Sequence, residues 1–139
     1  MSDPVSITLR ESEARPYGLV GTARQHAVTA DEPGAVGGAD SGPNPWEHVA
    51  VGLAACTAIT IRMVANRKGW PLDDIEVTAT QEFAVGPDGR KQAQFTRTLT
   101  FHGALDAAQR AFLLQMAEKC PVSLALKAGA PIITTLTDH

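Results

Sequence analysis

The run Val49-Ala-Val-Gly-Leu-Ala-Ala-Cys-Thr-Ala-Ile-Thr-Ile61 constrains this chain more than any other segment. Helix signals bracket it. Pro45 suits the first helical position, where a missing N–H costs nothing, and Asn44 before it suits an N-cap. Glu47 in the first turn complements the positive end of the helix dipole. Arg67, Lys68 and Gly69, with Pro71 just beyond, mark the end. The spacing predicts a helix over 45–68. Its middle is apolar nearly all round, which implies burial on most sides. Ala50, Gly52, Ala54 and Ala55 are small enough to let neighbouring backbone approach closely. The apolar run itself is too short to span a bilayer, so the fold must wrap other elements around this helix.

Strands supply the wrapping. Val5, Ile7 and Leu9 alternate with Ser6, Thr8 and Arg10, a half-buried strand by period. Glu13–Gly18 reads as a turn, with a second strand from Leu19 to Gln25 and a third over His26–Ala30. Asp31–Pro45 is a Gly/Pro-rich loop, of a length that is often functional. After the helix, strands are expected over Ile75–Glu82 and Gln92–His102, joined at Gly86-Pro-Asp-Gly89. In the second of these, Phe95, Arg97, Leu99 and Phe101 alternate with Thr96, Thr98 and Thr100. Asp106 and Gln109 make a capping-box pair for a second helix, whose stripe is Phe112, Leu113, Met116, Ala117 and then Cys120. Pro121 opens a short helical turn to Lys127, and Ile132–Leu136 reads as a last strand. The order βββ-α-ββ-α-β implies an α+β fold, antiparallel sheet wrapped on one long helix.

The chain has 139 residues, the size of one domain, taken here as residues 1–139. A net charge of −3 with scattered basic residues gives no reason to expect nucleic acid. The first ten residues show no apolar signal segment, and a soluble cytoplasmic protein is the expectation, with no membrane partner. Two cysteines do not make a secreted disulfide framework. They are either core filler or redox chemistry.

Cys56 lies about three turns into the helix, beyond the reach of the N-terminal dipole. A reactive Cys56 therefore needs a cation delivered by tertiary structure. Cys120 precedes Pro121 at a helix N-terminus, where unpaired N–H groups favour thiolate, and it completes an inward stripe. Inward cysteines on two packed helices could approach within disulfide range, about 6 Å between Cα atoms; plain core packing is the competing reading for both. His26, His48, His102 and His139 show no metal spacing, so neither a metal nor a cofactor is expected. No GxSxG motif supports a serine hydrolase.

The segment Gly42-Pro-Asn-Pro-Trp-Glu-His-Val-Ala-Val-Gly-Leu-Ala-Ala-Cys56 resembles the signature of the OsmC/Ohr family of organic hydroperoxide reductases. Cys120-Pro-Val-Ser-Leu-Ala-Leu resembles the family's second cysteine motif, and the order of elements fits from end to end. The resemblance implies an intertwined homodimer with active sites at the subunit interface. It implies a thiol peroxidase without cofactor: Cys56 attacks an organic hydroperoxide and becomes sulfenic acid, Cys120 resolves it as a disulfide, and a dithiol, often lipoyl-linked, restores the pair. It also implies an Arg from the N-terminal strands, held by a Glu at the start of the long helix. Arg15 is the candidate, with Arg24 its rival. The family's Glu follows Asn-Pro directly, where this chain has Trp46, and the acid is Glu47. Nine helical residues, about 900° of turn, put Glu47 and Cys56 on opposite faces of one straight helix, so Glu47 would serve Cys56 only from the other subunit. Trp46, Leu53 and Phe112 are candidate apolar walls for an alkyl peroxide. The displaced acid also fits an alternative, a homodimeric OsmC-like module that binds a small ligand without efficient peroxidase activity.

Overall fold

The computed structural model describes residues 3–137; His139, named above, lies outside them. Contacts divide the chain into two compact units, one ending at Val49 and the other beginning at Ala50.

The N-terminal unit carries an antiparallel three-stranded sheet in the order β1 (Thr8–Glu11), β2 (Leu19–Ala23), β3 (His26–Ala30). Arg24 takes a left-handed backbone, φ 56°, and opens the turn that pairs Ala23 with His26, so β2 stops short of Gln25. That early stop limits β1 as well. Thr8 already pairs with Thr22, near the end of β2. Val5 and Ile7 precede the strand and are exposed, so the strand expected to begin at Val5 begins three residues later. The loop after β3 is anchored by Asp31, whose buried carboxylate accepts from the Ser41 hydroxyl at 2.6 Å, the Ser41 amide at 3.0 Å and the Glu32 amide at 2.7 Å. These bonds, the Ser41 hydroxyl's first, hold the Asp31 pKa below the usual carboxylate value against the opposing effect of burial.

Helix α1 spans Pro45–Lys68, the predicted bounds. Its start is a capping box: Glu47 N–H donates to Asn44 Oδ1 at 2.8 Å, and Asn44 N–H donates to Glu47 Oε1 at 2.7 Å. Within one chain the helix is not buried on most sides. Leu53, Thr57, Ile61, Val64 and Ala65 form one buried stripe, while Val51, Ile59 and Met63 on the other side are 54–62% exposed.

In the C-terminal unit β4 (Asp74–Val85) and β5 (Lys91–His102) form a long hairpin, followed by α2 (Ala107–Met116), a 3-10 turn over Ala117–Lys119, and α3 (Pro121–Ala128). The register pairs Ile75 with Phe101, Val77 with Leu99 and Ala79 with Arg97, so one face of the hairpin is mainly apolar, with Gln81, Lys91 and Arg97 as its polar members. That face lies over a core of Ile61, Val64, Ala65, Leu72, Leu105, Leu113 and Ala117. Asp106 and Gln109 make the capping box that starts α2. Phe112 packs edge-on against Trp70, ring centroids 5.6 Å apart, and belongs to this core, not to a substrate wall.

The fold class is the expected α+β. One element departs from it: residues 132–136 form no strand, and Ile132, Ile133 and Leu136 are about nine-tenths exposed. Alternation alone does not make a strand; a ladder partner must satisfy its backbone, and none of the described strands pairs with this segment.

Candidate functional site

The site is built at the first turn of α3. Pro121 stands at the first helical position and Cys120 is the N-cap, with extended backbone at φ −64° and ψ 132°. The amides of that turn have no intrahelical acceptors. They turn to sulfur instead. Ser123 N–H donates to Cys120 Sγ at 3.3 Å, and Val122 N–H faces Cys56 on α1. The two thiols are close enough to shift each other's ionisation. Both are reduced; Cys120 is fully buried and Cys56 is half-buried.

A third element completes the arrangement. Arg97 reaches in from β5, its side chain only 12% exposed. Nη1 donates to Thr57 Oγ1 at 3.0 Å and to the Ala117 carbonyl at 2.9 Å, and Nη2 donates to Ser123 Oγ at 3.2 Å and Glu118 Oε2 at 3.0 Å. Thr57 is fully buried beside Cys56 in sequence, and its hydroxyl is 3.8 Å from Cys120 Sγ and 2.7 Å from the Leu53 carbonyl. A hydroxyl has one proton and two acceptor positions. Whichever of the Leu53 carbonyl and Cys120 Sγ takes that proton, Thr57 Oγ1 keeps a lone pair to accept from Arg97. Glu118 is also bonded to Lys127, and these contacts, the Lys127 bond foremost, keep its pKa below the usual carboxylate range despite some burial.

The electrostatics separate the two sulfurs. Burial disfavours either thiolate. At Cys120 that effect is outweighed by the Ser123 amide, the Cys56 and Thr57 hydrogen bonds and the Arg97 charge, so its pKa falls below the usual thiol value. At Cys56 burial and the neighbouring Cys120 prevail over the Val122 amide and Thr60, and its pKa rises. Within this unit Cys120 is the better anion and Cys56 the more accessible sulfur. A cavity of about 210 Å³ opens beside the cluster, lined by Leu53, Phe95, Arg97, Ser123, Leu126 and Lys127.

Of the expected site residues, Cys56 and Cys120 come together. Arg15, Arg24 and Glu47 lie in the N-terminal unit, all three exposed. Arg15 pairs with Glu11 at 3.2 Å, Arg24 sits at the β2–β3 turn against Gln25, and the Glu47 carboxylate caps α1. Arg97, Thr57 and Ser123 are the residues sequence reasoning passed over. Arg97 did leave a signal: it is a charge set between Phe95 and Leu99 in the apolar phase of β5, where Lys91 at the start of the strand is the other charge. Among the described residues no group of three or more His, Cys, Asp or Glu side chains is placed to hold a metal ion.

The family model for OsmC-like protein matches residues 38–135. The chain belongs to the OsmC-like family. Solved OsmC-like structures share its fold. A Mycoplasma pneumoniae OsmC-like protein superposes with a TM-score of 0.74 at 21% identity, over 91% of this chain and 89% of the other. An organic hydroperoxide resistance protein OsmC from Legionella pneumophila gives 0.68 at 24% identity, over 90% of each chain. A Vibrio cholerae organic hydroperoxide resistance protein, with captopril bound in one of its active sites, gives 0.64 at 29% identity, over 91% and 88%. No curated protein sequence matches the chain.

Proposed function

We propose that this OsmC-like chain is a two-cysteine thiol peroxidase that reduces organic hydroperoxides as a homodimer. The observation that carries the reading is the meeting of Cys56 and Cys120, half-buried against fully buried, at one helix N-terminus. Cys56 thiolate attacks the distal peroxide oxygen, the O–O bond breaks, and the alcohol leaves after taking up a proton. Cys56 is then a sulfenic acid. Cys120 thiolate attacks that sulfur, water departs, and the pair becomes a disulfide. A dithiol reductant, possessing two electrons to give, returns both thiols and leaves as its own disulfide.

The naming of structural relatives as organic hydroperoxide resistance proteins supports the substrate class. The homodimer is supported by the exposed apolar face of α1 at Val51, Ile59 and Met63 and by the unpaired apolar segment Ile132–Leu136, both of which a second copy would cover. The activation of Cys56 is assigned to Arg15 as the ionising charge, with Arg24 the rival and Glu47 the carboxylate that holds it. The raised Cys56 pKa is what favours the second reading, a homodimeric small-ligand-binding module.

The test is consumption of cumene hydroperoxide with reduced lipoamide as donor. Wild type turns over; Cys56→Ser does not; Cys120→Ser consumes one equivalent and then overoxidises. Equal, negligible consumption by wild type and Cys56→Ser overturns the peroxidase reading in favour of the binding module.

A further inference from the structure

The Arg97 cluster bears on which sulfur of the oxidised pair the reductant attacks. A thiol that attacks a disulfide does so along the S–S axis, from the side opposite the departing sulfur, and the departing sulfur leaves as a thiolate. Two structural questions decide the direction: which sulfur can be approached, and which thiolate the protein is built to hold. Cys120 is fully buried and Cys56 is open on one side. Cys120 Sγ has the Ser123 N–H at 3.3 Å and the Thr57 hydroxyl at 3.8 Å. Arg97 binds both residues that hold it, through Thr57 Oγ1 at 3.0 Å and Ser123 Oγ at 3.2 Å, and ties them to the Ala117 carbonyl at the end of α2. Its own charge is largely removed from water, which strengthens its field at the sulfur.

We propose that the reductant attacks Cys56 and expels Cys120 as a thiolate, and that Arg97 is the positioning residue that makes Cys120 the leaving group. This rests on the two-cysteine peroxidase reading. The first thiolate of the reductant forms a bond to Cys56 Sγ as the Cys56–Cys120 bond breaks, and the electron pair of that bond goes to Cys120. The second thiol of the reductant, losing its proton, attacks the reductant's own sulfur in the mixed disulfide. The reductant departs as a disulfide, and Cys56 takes up a proton. Two electrons have passed from dithiol to protein. Arg97 touches neither reacting sulfur; it acts through Thr57, Ser123 and its charge.

The experiment oxidises the full-length protein with diamide, so that disulfide formation does not depend on peroxidase activity. The oxidised protein is then mixed briefly with 2-mercaptoethanol, a monothiol with no second thiol of its own to release it, and quenched before a second molecule exchanges. Acid quenching, alkylation of free thiols and peptide mapping locate the adduct. The expected adduct is on Cys56, with Cys120 alkylated; an adduct on Cys120 overturns the proposal, and so does a protein in which diamide fails to join the two sulfurs. Arg97→Lys and Arg97→Gln supply the second measurement. In a Cys56→Ser background, thiolate absorbance should place Cys120 ionisation about one pH unit higher in Arg97→Gln than with Arg97 present, with Arg97→Lys between them. A higher leaving-group pKa slows departure of Cys120, so reduction of the disulfide by reduced lipoamide should be slower in Arg97→Gln than in wild type. Unchanged Cys120 ionisation in a folded Arg97→Gln protein overturns the role of Arg97. The two failures are distinct: absence of peroxide consumption sinks the peroxidase reading, whereas a mercaptoethanol adduct on Cys120 in a protein that does consume peroxide overturns this assignment alone.

Discussion

Replacing Thr57 by Val tests the cluster with the least disturbance. Valine matches threonine in shape, so no cavity opens and the β-branched helix residue is retained. Only the hydroxyl is lost. In the structure that hydroxyl is fully buried, accepts from Arg97 Nη1 at 3.0 Å and approaches Cys120 Sγ at 3.8 Å. Its removal strips one acceptor from a guanidinium that is 12% exposed. A hydrogen bond to a charged group is worth about 1.5–3 kcal/mol, and a buried donor left unpaired costs its desolvation as well. Arg97 keeps the Ala117 carbonyl, Ser123 and Glu118 as partners, so about 2 kcal/mol is the expected loss. Unfolding entropy of about 2.1 cal/mol/K per residue makes the slope roughly 0.3 kcal/mol per degree for a chain of 139 residues. The melting temperature should fall by about 7 °C, read by far-UV circular dichroism at one fixed protein concentration, since self-association shifts it. Thiolate absorbance at the same time should show Cys120 ionising at higher pH, because a group that lowers its pKa is gone. A Thr57→Val protein that melts within a degree of wild type, with the thiol titration unmoved, would show that Arg97 and Cys120 do not depend on this hydroxyl.

Removing either thiol should shift the other in opposite directions. Cys120 raises the Cys56 pKa and Cys56 lowers that of Cys120, so Cys120→Ser should let Cys56 ionise at lower pH, and Cys56→Ser should push Cys120 ionisation to higher pH, both read by thiolate absorbance. Asn44→Ala breaks the α1 capping box at a cost of about 1 kcal/mol, a fall of about 3 °C in the same melt. Leu113→Ala, at a fully buried core position, should cost about 2–5 kcal/mol and lower the melting temperature by at least about 7 °C. Ile59→Glu places a charge on the exposed apolar face of α1 and should convert the proposed dimer to monomer in sedimentation velocity, with the melt of the monomer concentration-independent.

Local chemistry made the elements legible. The bounds of α1 followed from Asn44, Pro45 and the Lys68-Gly69 stop, because capping is settled within a few residues. The start of α2 followed from Asp106 and Gln109 for the same reason. Alternation placed β4 and β5 and put Arg97 on the inward phase, and the two cysteine motifs pointed to their own pairing. Expectations went astray where an outcome depended on a partner strand. Val5 to Ile7 alternate well but lie beyond the useful length of β2, and Ile132 to Leu136 have no ladder to join.

The sequence by itself determined the helices and the long hairpin, the α+β class, the family and the two sulfurs, because each is carried by short-range patterns of capping, period and motif. Tertiary structure decided the inequality between those sulfurs. Cys120 receives Ser123, Thr57 and Arg97, while Cys56 keeps the open side, and these groups come from three elements distant in the chain. The field at a buried atom is a sum over neighbours in space, which no local pattern records.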